Sequence, residues 1–499
     1  MLVRPDKGDA RVIAYFLGRI CYVVAVAGVL PVLWAAAARE WAPFASFVLM
    51  VGVFVLFGAA GTAAGPSMTR LGWSHGMVVV ALTWVVVPLV GSIPFALSGH
   101  FGDPLDAVFD AMSGLTTTGL SVLQDLDHLA SSLNFWRHLL HFLGGQGIVI
   151  AALSLFAGGG GLTLYYGEAR DERIFPSVTS TARFIWGVSL AHLVFGVVML
   201  AVVGIVAVGL DPMRSLFHGL LVFFAGFDTG GFAPQSTSLG YYHSAYYEAA
   251  AAVLMIAGAM SFGLHFALWR RRRRATVLKN LETRTILSTF AVTLTLGIIG
   301  LATLGIYRGV FGLTRQGLFH VLSAHTGTGF ATVPSAELAV WSGLAFGGVA
   351  IAMALGGMAS STAGGVKSLR IGLTLRALRD QVRQVLLPER AVVSRRYHQG
   401  GTRTLTPELA QAVMTVSLLY VALFLAGAGV GIAYGAPLQL ALFESVSAGA
   451  NVGLSVGLTE PSMPVLLQLT YMAEMWLGRL EFVAVFALLG FVVSWVRGR

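Results

Sequence analysis

The sequence is poor in charge and has a single cysteine. Asp, Glu, Lys and Arg make up 11% of its 499 residues, whereas roughly 25% is usual in a soluble domain. Cys21 alone forms neither a disulfide nor a thiolate metal cluster within one chain. The apolar runs contain no HExxH or GxSxG motif and no paired catalytic carboxylates, so we expect no enzyme. The composition therefore excludes an ordinary soluble domain.

Apolar runs of about 20 residues, the length that an α-helix needs to cross a bilayer, recur along the whole chain. The chain is 56% hydrophobic and has a mean hydropathy of +0.78. The first run has no small-residue cleavage site, so we interpret it as a retained helix rather than a signal peptide. We predict about ten spanning helices, near residues 11–36, 42–64, 73–97, 136–160, 184–210, 245–269, 286–310, 340–366, 409–434 and 464–496.

A short pattern that ends in glycine and a bulky apolar residue occurs four times. Glycine adopts backbone conformations that a side chain forbids, so such a segment can turn its carbonyl groups toward one point. Four of them around one axis make a ring of carbonyl oxygens, which is how a cation filter is built. The copies, which we call the four glycine segments, are 116–120 (TTTGL), 228–232 (DTGGF), 325–330 (HTGTGF) and 450–454 (ANVGL).

Each glycine segment follows a half-apolar stretch that is too short to span a bilayer. The repeating unit is a helix, a re-entrant pore helix with its filter segment, and a second helix. We predict an all-α polytopic membrane protein: four tandem helix–pore-loop–helix units with pseudo-fourfold symmetry around one pore, preceded by two extra N-terminal transmembrane helices. The predicted boundaries are 1–72 for the extension, 73–160, 184–270, 284–372 and 405–499 for the units, and 373–404 for a cytoplasmic connector.

The basic residues cluster where a unit starts or ends, which places these loops and both termini in the cytoplasm by the positive-inside rule. The net charge of +9 thus reflects the membrane topology, since the basic residues lie in cytoplasmic loops, and we expect no nucleic-acid binding. On the opposite side, residues 96–136 contain no Lys or Arg but contain five aspartates, which either attract cations or are solvated loop residues. They are Asp103, Asp106, Asp110, Asp125 and Asp127.

Several longer strings, in their order along the chain, resemble the Trk/Ktr/HKT superfamily of potassium transporters. The match covers nearly all of 73–496, and the two additional N-terminal helices favour the Trk-type membrane subunit over the eight-helix Ktr type. The strings are SGLTTTG at 113–119, GGQGI at 144–148, TGGF at 229–232, SFGLH at 261–265, STAGGVK at 361–367 and GRLE at 478–481.

This resemblance implies potassium uptake across the cytoplasmic (inner) membrane through a gated, channel-like pore. Potassium ion is then the substrate, bound at the filter carbonyls, and the chain needs no cofactor. Glycine at all four filter positions goes with potassium rather than sodium in the family. The filter residues that the resemblance assigns are Thr117, Thr118, Gly119, Thr229, Gly230, Gly231, Gly327, Thr328, Gly329, Asn451, Val452 and Gly453.

Two filter-flanking residues depart from the family's pattern. Asp228 stands where a small hydroxyl residue is usual. Its carboxylate either strengthens cation binding and shifts selectivity, or pairs behind the filter. His325 in the third segment either braces the filter when neutral or repels cations when charged. Four unlike segments also predict fewer well-formed ion sites and looser selectivity than a symmetric tetramer has.

Four glycines around small hydroxyl residues interrupt the run at 340–366, and each costs about 1 kcal/mol in a helix interior. This composition favours local unwinding, with close helix packing as the alternative. The resemblance implies an intramembrane gate loop at 356–367, and only the third unit is followed by such a glycine-broken helix. The residues assigned to it are Gly356, Gly357, Ser361, Thr362, Gly364, Gly365 and Lys367.

Arg479 lies in the otherwise apolar final run, where a central Arg costs about 2.5–3.5 kcal/mol and needs a partner or water. We expect it to face the pore below the filter as an electrostatic barrier, and we assign it to the gate. Glu444 and carbonyl groups of the gate loop are its candidate partners. Glu481, two positions further on, lies on a different helix face.

Residues 270–285 and 367–404 are basic segments that contact either lipid headgroups or a partner protein. The resemblance implies a homodimer and a cytosolic ring of nucleotide-binding regulatory subunits on this face. The four glycines at 158–161 follow a membrane helix, whereas a Walker or dinucleotide-binding motif lies between a strand and a helix. We therefore identify no nucleotide-binding motif in this chain. Permeation of sodium, or of monovalent cations without selectivity, stays open as an alternative. Cation-coupled secondary transport is another, although four parallel units argue against it.

Overall fold

The structure is a computed structural model in which helices follow one another along the chain. Within the residues it describes, two strands form one hairpin, in the connector before the last unit. Several stretches discussed above lie outside the described part, namely 148–161, with the four glycines at 158–161, and 270–273. The described residues are 6–63, 65, 72–123, 125–147, 178–269, 274–307, 309–341, 343–388 and 396–497.

Two long helices, Lys7–Ala37 and Trp41–Ala63, form a hairpin before the first unit. Glycines let them touch closely, since a Cβ on Gly61 would collide with the carbonyl oxygen of Ala14. Their connection carries Glu40, whose carboxylate accepts hydrogen bonds from the amides of two serines at the start of a helix of the first unit, at 2.8 and 3.0 Å. Negative charge is favourable at that helix end, so Glu40 fastens the hairpin to the units.

Each unit contains a long leading helix followed by a short helix of 12 or 16 residues. The first two short helices begin with Asp-Pro, in which the Asp caps free N–H groups and the proline needs none. A 12-residue helix is about 18 Å long and crosses only part of a hydrocarbon core of about 30 Å. The leading helices are Trp73–Gly91, Val178–Val203, Leu281–Leu304 and Pro407–Ala433, and the short helices are Pro104–Leu115, Pro212–Phe227, Val310–His325 and Leu438–Gly449.

Each unit then has a returning helix, and within the described residues three of these are seen to be broken. In the second and fourth units the two parts are bent by 102° and 112°. In the third unit the helix ends at Ala354, and the chain stays non-helical until Ser368, as the glycine pattern predicts. The returning helices are Ser131–Gln146, Ala245–Ala259 with Phe262–Trp269, Gly343–Ala354, and Val465–Arg479 with Val483–Arg497.

The second and fourth units are also broken, at positions that the glycine pattern does not predict, because tertiary contacts set these two breaks. At the break of the second unit, the amide of Met358 donates to the carbonyl of Ala259 at 3.0 Å. In the fourth unit, Glu481 and Phe482 have φ of +50° and +71°, and the Glu481 carboxylate is paired with Arg370. In both units, neighbouring segments therefore bind polar groups at the break, through a hydrogen bond in the second unit and an ion pair in the fourth.

The part of the chain that the structure describes contains fewer uninterrupted spans than the ten predicted. Among the described residues, six helices are long and apolar enough to cross a membrane, and the two bent pairs raise the number to eight. In the described part of the remaining two predicted runs, 136–160 and 340–366, the first overlaps the shorter helix Ser131–Gln146 and the second contains Gly343–Ala354. Both of these stop beside glycines, whose low helix propensity favours an end there.

The connector between the third and fourth units contains a helix, Ser368–Leu386, and a small hairpin. Strands Arg396–His398 and Thr402–Thr404 pair antiparallel, with Tyr397 opposite Arg403. Tyr397 is buried against the helix in a small hydrophobic cluster. The described part of the connector therefore packs as a helix and a hairpin and is not a bare loop.

Candidate functional site

The four glycine segments share one backbone conformation although their side chains differ. Each short helix ends in a Schellman motif, in which a left-handed residue follows the cap and two backbone hydrogen bonds close the turn. In each turn, the bond with the wider sequence separation has a length of 2.7–2.9 Å and joins the amide of the first residue to the carbonyl of the second in these pairs: Thr118 and Ser113, Gly230 and Ala225, Thr328 and Ser323, and Val452 and Ser447. The left-handed residues, with φ between +52° and +72°, are Thr117, Thr229, Gly327 and Asn451.

The four segments also close into a ring. A Cβ on the glycine of each segment would collide with a carbonyl oxygen of the next segment along the chain, and the fourth segment meets the first. These glycines have φ between +80° and +95°, which side chains rarely adopt. Gly119, Gly231, Gly329 and Gly453 face, in that order, the oxygens of Gly230, Thr328, Val452 and Thr118. The backbone therefore forms a closed ring of carbonyl groups around one axis.

Two cavities flank this ring. The first is lined by all four ring glycines, together with Ser121 and Arg137. The second is lined by residues of the loop in the third unit and by Arg479. Arg479, which lines the second cavity, contacts Thr117 of the first segment, so both cavities adjoin the glycine segments.

Strained threonines in the first two segments are held by the elements below the ring. A β-branched residue in the left-handed region is disfavoured by about 1–2 kcal/mol. The Oγ1 of Thr117 accepts a hydrogen bond from Arg479 at 3.0 Å. The Oγ1 of Thr229 donates to the Asp228 carbonyl at 2.8 Å and lies 3.3 Å from the Oγ1 of Thr362. These contacts connect the ring to both predicted parts of the gate.

Asn451 connects the fourth segment to the first. Its Nδ2 lies 2.9 Å from the Oγ1 of Thr118 and 2.9 Å from the carbonyl oxygen of Met475, and it donates to both. An amide carries two such hydrogens, so both bonds form at once. Asparagine also tolerates the left-handed region better than other side chains do. Asn451 therefore adopts the left-handed conformation that the turn requires, and its side chain links the fourth segment to the first.

Asp228 is fully buried behind the second segment. Gln146 donates a hydrogen bond of 2.6 Å to the Asp228 Oδ1, and Ser189 donates one of 2.5 Å to the Gln146 Oε1. A Cβ on Gly145 would collide with the Asp228 side chain. Of the two alternatives from the sequence, the structure has the carboxylate paired behind the segment, against the first returning helix.

His325 is the last residue of the third short helix, and it is buried. Its Nε2 lies 2.9 Å from the Oγ1 of Thr289, a residue of the third leading helix. The ring of Phe290 meets the imidazole edge to face, with the centroids 5.9 Å apart. The imidazole thus packs outward against the leading helix.

The residues assigned to the gate loop lie in one non-helical segment, 355–367, which we call the third-unit loop. Its central contact is Thr362, whose Oγ1 lies 3.0 and 2.9 Å from the carbonyl oxygens of Phe227 and Gly258. Ser361 donates within the loop to the Met358 carbonyl at 2.6 Å. Because Phe227 ends the second short helix, the loop is fastened directly beneath the second segment.

Glycines let the third-unit loop fold tightly against the fourth unit. A Cβ on Gly364 would collide with the carbonyl oxygen of Ala450, and a Cβ on Gly356 with that of Gly364. Gly365 has φ of +70°. Gly357 packs against the side chain of Ala363. At the end of the loop, Lys367 donates to the Ala363 carbonyl.

Arg479 is the charged residue where the ring, the loop and the first unit meet. Its Nη1 donates to the carbonyl oxygen of Thr362 at 2.7 Å, and its Nη2 donates to that of Gly144 at 2.7 Å. Its guanidinium also lies over the ring of Trp84, 5.4 Å from the centroid. A gate-loop carbonyl is therefore one of its partners, as the sequence predicts.

Glu444 is not a partner of Arg479, and that prediction is wrong. The Glu444 carboxylate accepts hydrogen bonds from Ser455 Oγ at 2.7 Å, from the Val456 amide at 3.0 Å and from the Thr459 amide at 3.1 Å. All three donors belong to the chain that leaves the fourth segment. Glu444 therefore positions that segment from within its own unit.

An equivalent carboxylate supports the first segment. Asp110, like Glu444, lies five residues before the end of its short helix and accepts from a serine eleven residues later, Ser121, at 2.5 Å. The buried Arg137 donates to Asp110 at 2.7 Å and lies 4.0 Å from the centroid of the Phe232 ring in the second segment. Sequence reasoning missed this role, although the acid-to-serine spacing common to both units is a usable signal.

The five aspartates of the first unit have mainly structural roles. Asp103 caps its helix, and Asp106 accepts hydrogen bonds from the Gly102 amide at 3.1 Å and from Gln468 at 2.8 Å. Asp127 accepts bonds from Ser236. Asp125 is exposed beside His128, whose ring hydrogen bond lowers the pKa of the Asp125 carboxyl. Asp106 and Asp110 are not solvated loop residues, because both are buried.

Together these features define a polytopic membrane protein in which four short helices of one chain close a ring of backbone carbonyls between two cavities. The model of the TrkH family, described as a cation transport protein, matches residues 46–492. The chain therefore belongs to the TrkH family of cation transport proteins, and the family resemblance drawn from its motifs is confirmed.

Relatives in this family align with most of the chain. The Trk system potassium uptake protein TrkH of Halomonas elongata is 31% identical, over 83% of this chain and 84% of that protein. An uncharacterized cation transporter of Methanocaldococcus jannaschii, MJ1485, is 29% identical over 98% and 97%. The crystal structure of the potassium transporter TrkH from Vibrio parahaemolyticus matches with a TM-score of 0.82 and 25% identity, over 96% and 98%. The predicted all-α polytopic membrane fold is thus confirmed.

Proposed function

We propose that this protein carries potassium ions across the cytoplasmic membrane through the ring of four glycine segments. The observation that carries the proposal is the closure of the ring, in which each glycine faces a carbonyl oxygen of the next segment. Carbonyl oxygens replace the water shell of a weakly hydrated cation. Relatives named as potassium uptake proteins and a solved potassium transporter support potassium as the ion.

The filter residues assigned from the sequence then act through their backbone. Thr117, Thr229, Gly327 and Asn451 set the turn, and the glycine two positions later brings the carbonyls together. Each short helix points the partly negative end of its dipole toward the same place. The four segments differ in side chains but share these two features, so selectivity comes from the ring and not from one acidic residue.

The third-unit loop and Arg479 act as the gate. Both lie on the side of the ring that faces the second cavity, and Arg479 donates hydrogen bonds to the loop, to the first unit and to Thr117. A fixed positive charge on the pathway opposes the passage of a cation. Permeation then requires that the loop and the guanidinium move apart.

The proposal extends to the surroundings of the pathway. The positive-inside rule, applied to the basic loops, supports cytoplasmic termini for a multi-pass protein of the inner membrane. It works as a homodimer whose connector, with helix Ser368–Leu386 and its hairpin, faces the cytosol. A cytosolic ring of nucleotide-binding regulatory subunits docks on that face and moves the gate.

Rubidium uptake into proteoliposomes tests this function. With the purified protein reconstituted, rubidium uptake driven by an inside-negative membrane potential is expected without any sodium or proton gradient. A requirement for such a gradient would indicate coupled secondary transport instead. Equal inhibition of uptake by external sodium and external potassium would remove the potassium assignment.

A further inference from the structure

A buried acid in the fourth unit has no role in the ring or in the gate. Glu474 lies within the returning helix Val465–Arg479, and its side chain is 1% exposed. Among the described ion pairs, none includes Glu474. Its Oε2 is buried and makes no hydrogen bond in the described part of the chain. An ionised carboxylate in such a place lacks both solvent and counter-charge.

The hydrogen bonds around Glu474 determine where one proton lies. The Oγ of Ser445 lies 2.8 Å from the carbonyl oxygen of Phe424 and 2.6 Å from the Oε1 of Glu474. A serine hydroxyl has one hydrogen, and a carbonyl oxygen accepts only. Both contacts are complete hydrogen bonds when Glu474 donates to Ser445 and Ser445 donates to Phe424. The carboxyl group then carries a hydrogen.

Among the described residues, the groups that face Glu474 offer no positive charge. The fourth leading helix presents the backbone of Phe424 and the glycine at 427, where a Cβ would collide with the carboxyl group. The fourth short helix presents the Ser445 hydroxyl, while its neighbour Glu444 directs its carboxylate toward Ser455, Val456 and Thr459. The returning helix itself presents the phenol of Tyr471. An ionised Glu474 would meet no counter-charge there, so a neutral acid fits these surroundings.

The other units show that the fold does not require an acid here. Gly144, Gly258 and Gly478 occupy equivalent places, each pressed against the carbonyl oxygen of the last residue of its short helix. Four positions before them stand Leu140, Leu254 and Glu474, all buried. Leucine fills this position in the first and second units, so the carboxyl group is a particular feature of the fourth.

We propose that Glu474 is a proton-binding site, a carboxylic acid that stays neutral at neutral pH and fastens the fourth short helix to its leading helix through Ser445. The neighbouring residue, Met475, accepts the hydrogen bond of Asn451 with its carbonyl oxygen. The turn of helix that holds the proton therefore also holds the fourth glycine segment. This inference does not depend on which ion the ring passes.

Infrared difference spectroscopy tests the proposal without any transport assay. Purified wild type is compared at neutral pH with Glu474→Gln and with Glu474→Leu, which carries the residue of the first two units. The wild type is expected to show the C=O stretch of a protonated carboxyl group, and both variants are expected to lack it. Loss of carboxylate bands instead, with the protonated band unchanged, would overturn the proposal.

Stability and flux give a second readout. The amide of Glu474→Gln donates to Ser445 as the acid does, so its thermal unfolding midpoint and its rubidium flux are expected to match the wild type. Glu474→Leu lacks the donor and is expected to unfold at a lower temperature. A folded Glu474→Gln protein without flux would show that a negative charge is needed there, and would overturn the assignment.

Discussion

Arg479 donates a hydrogen bond of 2.7 Å to the carbonyl oxygen of Thr362, and so joins the bend of the fourth returning helix to the centre of the third-unit loop. Thr362 in turn contacts the carbonyl oxygens of Phe227 and Gly258 in the second unit. Through the bond to Gly144, Arg479 also reaches the first unit. One guanidinium and one loop residue therefore connect all four units below the ring.

Replacement of Arg479 by alanine is expected to raise rubidium flux. The substitution removes the fixed charge and its hydrogen bonds, each worth about 1.5–3 kcal/mol for a charged donor. Loss of one such bond on the closed state corresponds to about a tenfold shift toward the open state. Uptake by proteoliposomes measures the effect, and Arg497→Ala, at an exposed helix end, is the matched control. Unchanged flux in folded Arg479→Ala protein would contradict the role in the gate.

Replacement of Gly231 by alanine is expected to abolish selective flux. The added Cβ collides with the carbonyl oxygen of Thr328, and the left-handed backbone alone adds about 1–2 kcal/mol of strain. Gly187→Ala is the control, because that glycine of the second leading helix has open space around it. Rubidium uptake in the presence of sodium measures both variants. Normal uptake and selectivity in Gly231→Ala would show that the ring does not contact the ion.

Replacement of Asp228 by serine is expected to lower stability without changing selectivity. The carboxylate is bound to Gln146 behind the second segment, and leaving that amide without a partner costs about 1–3 kcal/mol. Asp228→Asn keeps an acceptor and serves as the control with near-normal stability. Thermal unfolding and sodium competition measure the two properties separately. A change in the sodium-to-potassium ratio in both variants would mean that the carboxylate acts on the ion.

Replacement of Glu444 by glutamine is expected to loosen the fourth segment. Glu444 accepts hydrogen bonds from Ser455, Val456 and Thr459. In glutamine, an NH2 group replaces one carboxylate oxygen, so at least one of these donors would meet another donor. Each unsatisfied buried group costs about 1–3 kcal/mol. We expect a lower unfolding temperature and greater sodium permeation. The exposed Glu460→Gln is the control, and equal behaviour of the two variants would contradict the positioning role.

The four-unit arrangement could be predicted because each segment repeats a local requirement. A backbone position with positive φ is visible in the sequence as a glycine, and the third-unit loop is visible as a glycine-rich stretch. The chemical type of the Arg479 partner could be predicted, since a buried guanidinium needs carbonyl or carboxylate groups nearby. Which of them it meets depends on how the units pack.

The remaining features depend on contacts between units, which a single sequence does not display. The bends at 260–261 and 480–482 contain neither glycine nor proline. They form because other segments bind the polar groups exposed there, as Arg370 binds Glu481. The Asp110–Arg137 pair was hidden for the same reason, since 27 residues separate two side chains that meet only in the folded protein.

Anomalous scattering from rubidium tests the central claim most directly. In crystals of the protein grown with rubidium in place of potassium, we predict a peak on the axis of the ring, among the carbonyl oxygens next to Gly119, Gly231, Gly329 and Gly453. The peak is expected to disappear in Gly231→Ala crystals. Rubidium bound at Asp228 with none in the ring, in a protein that still transports rubidium, would contradict the account.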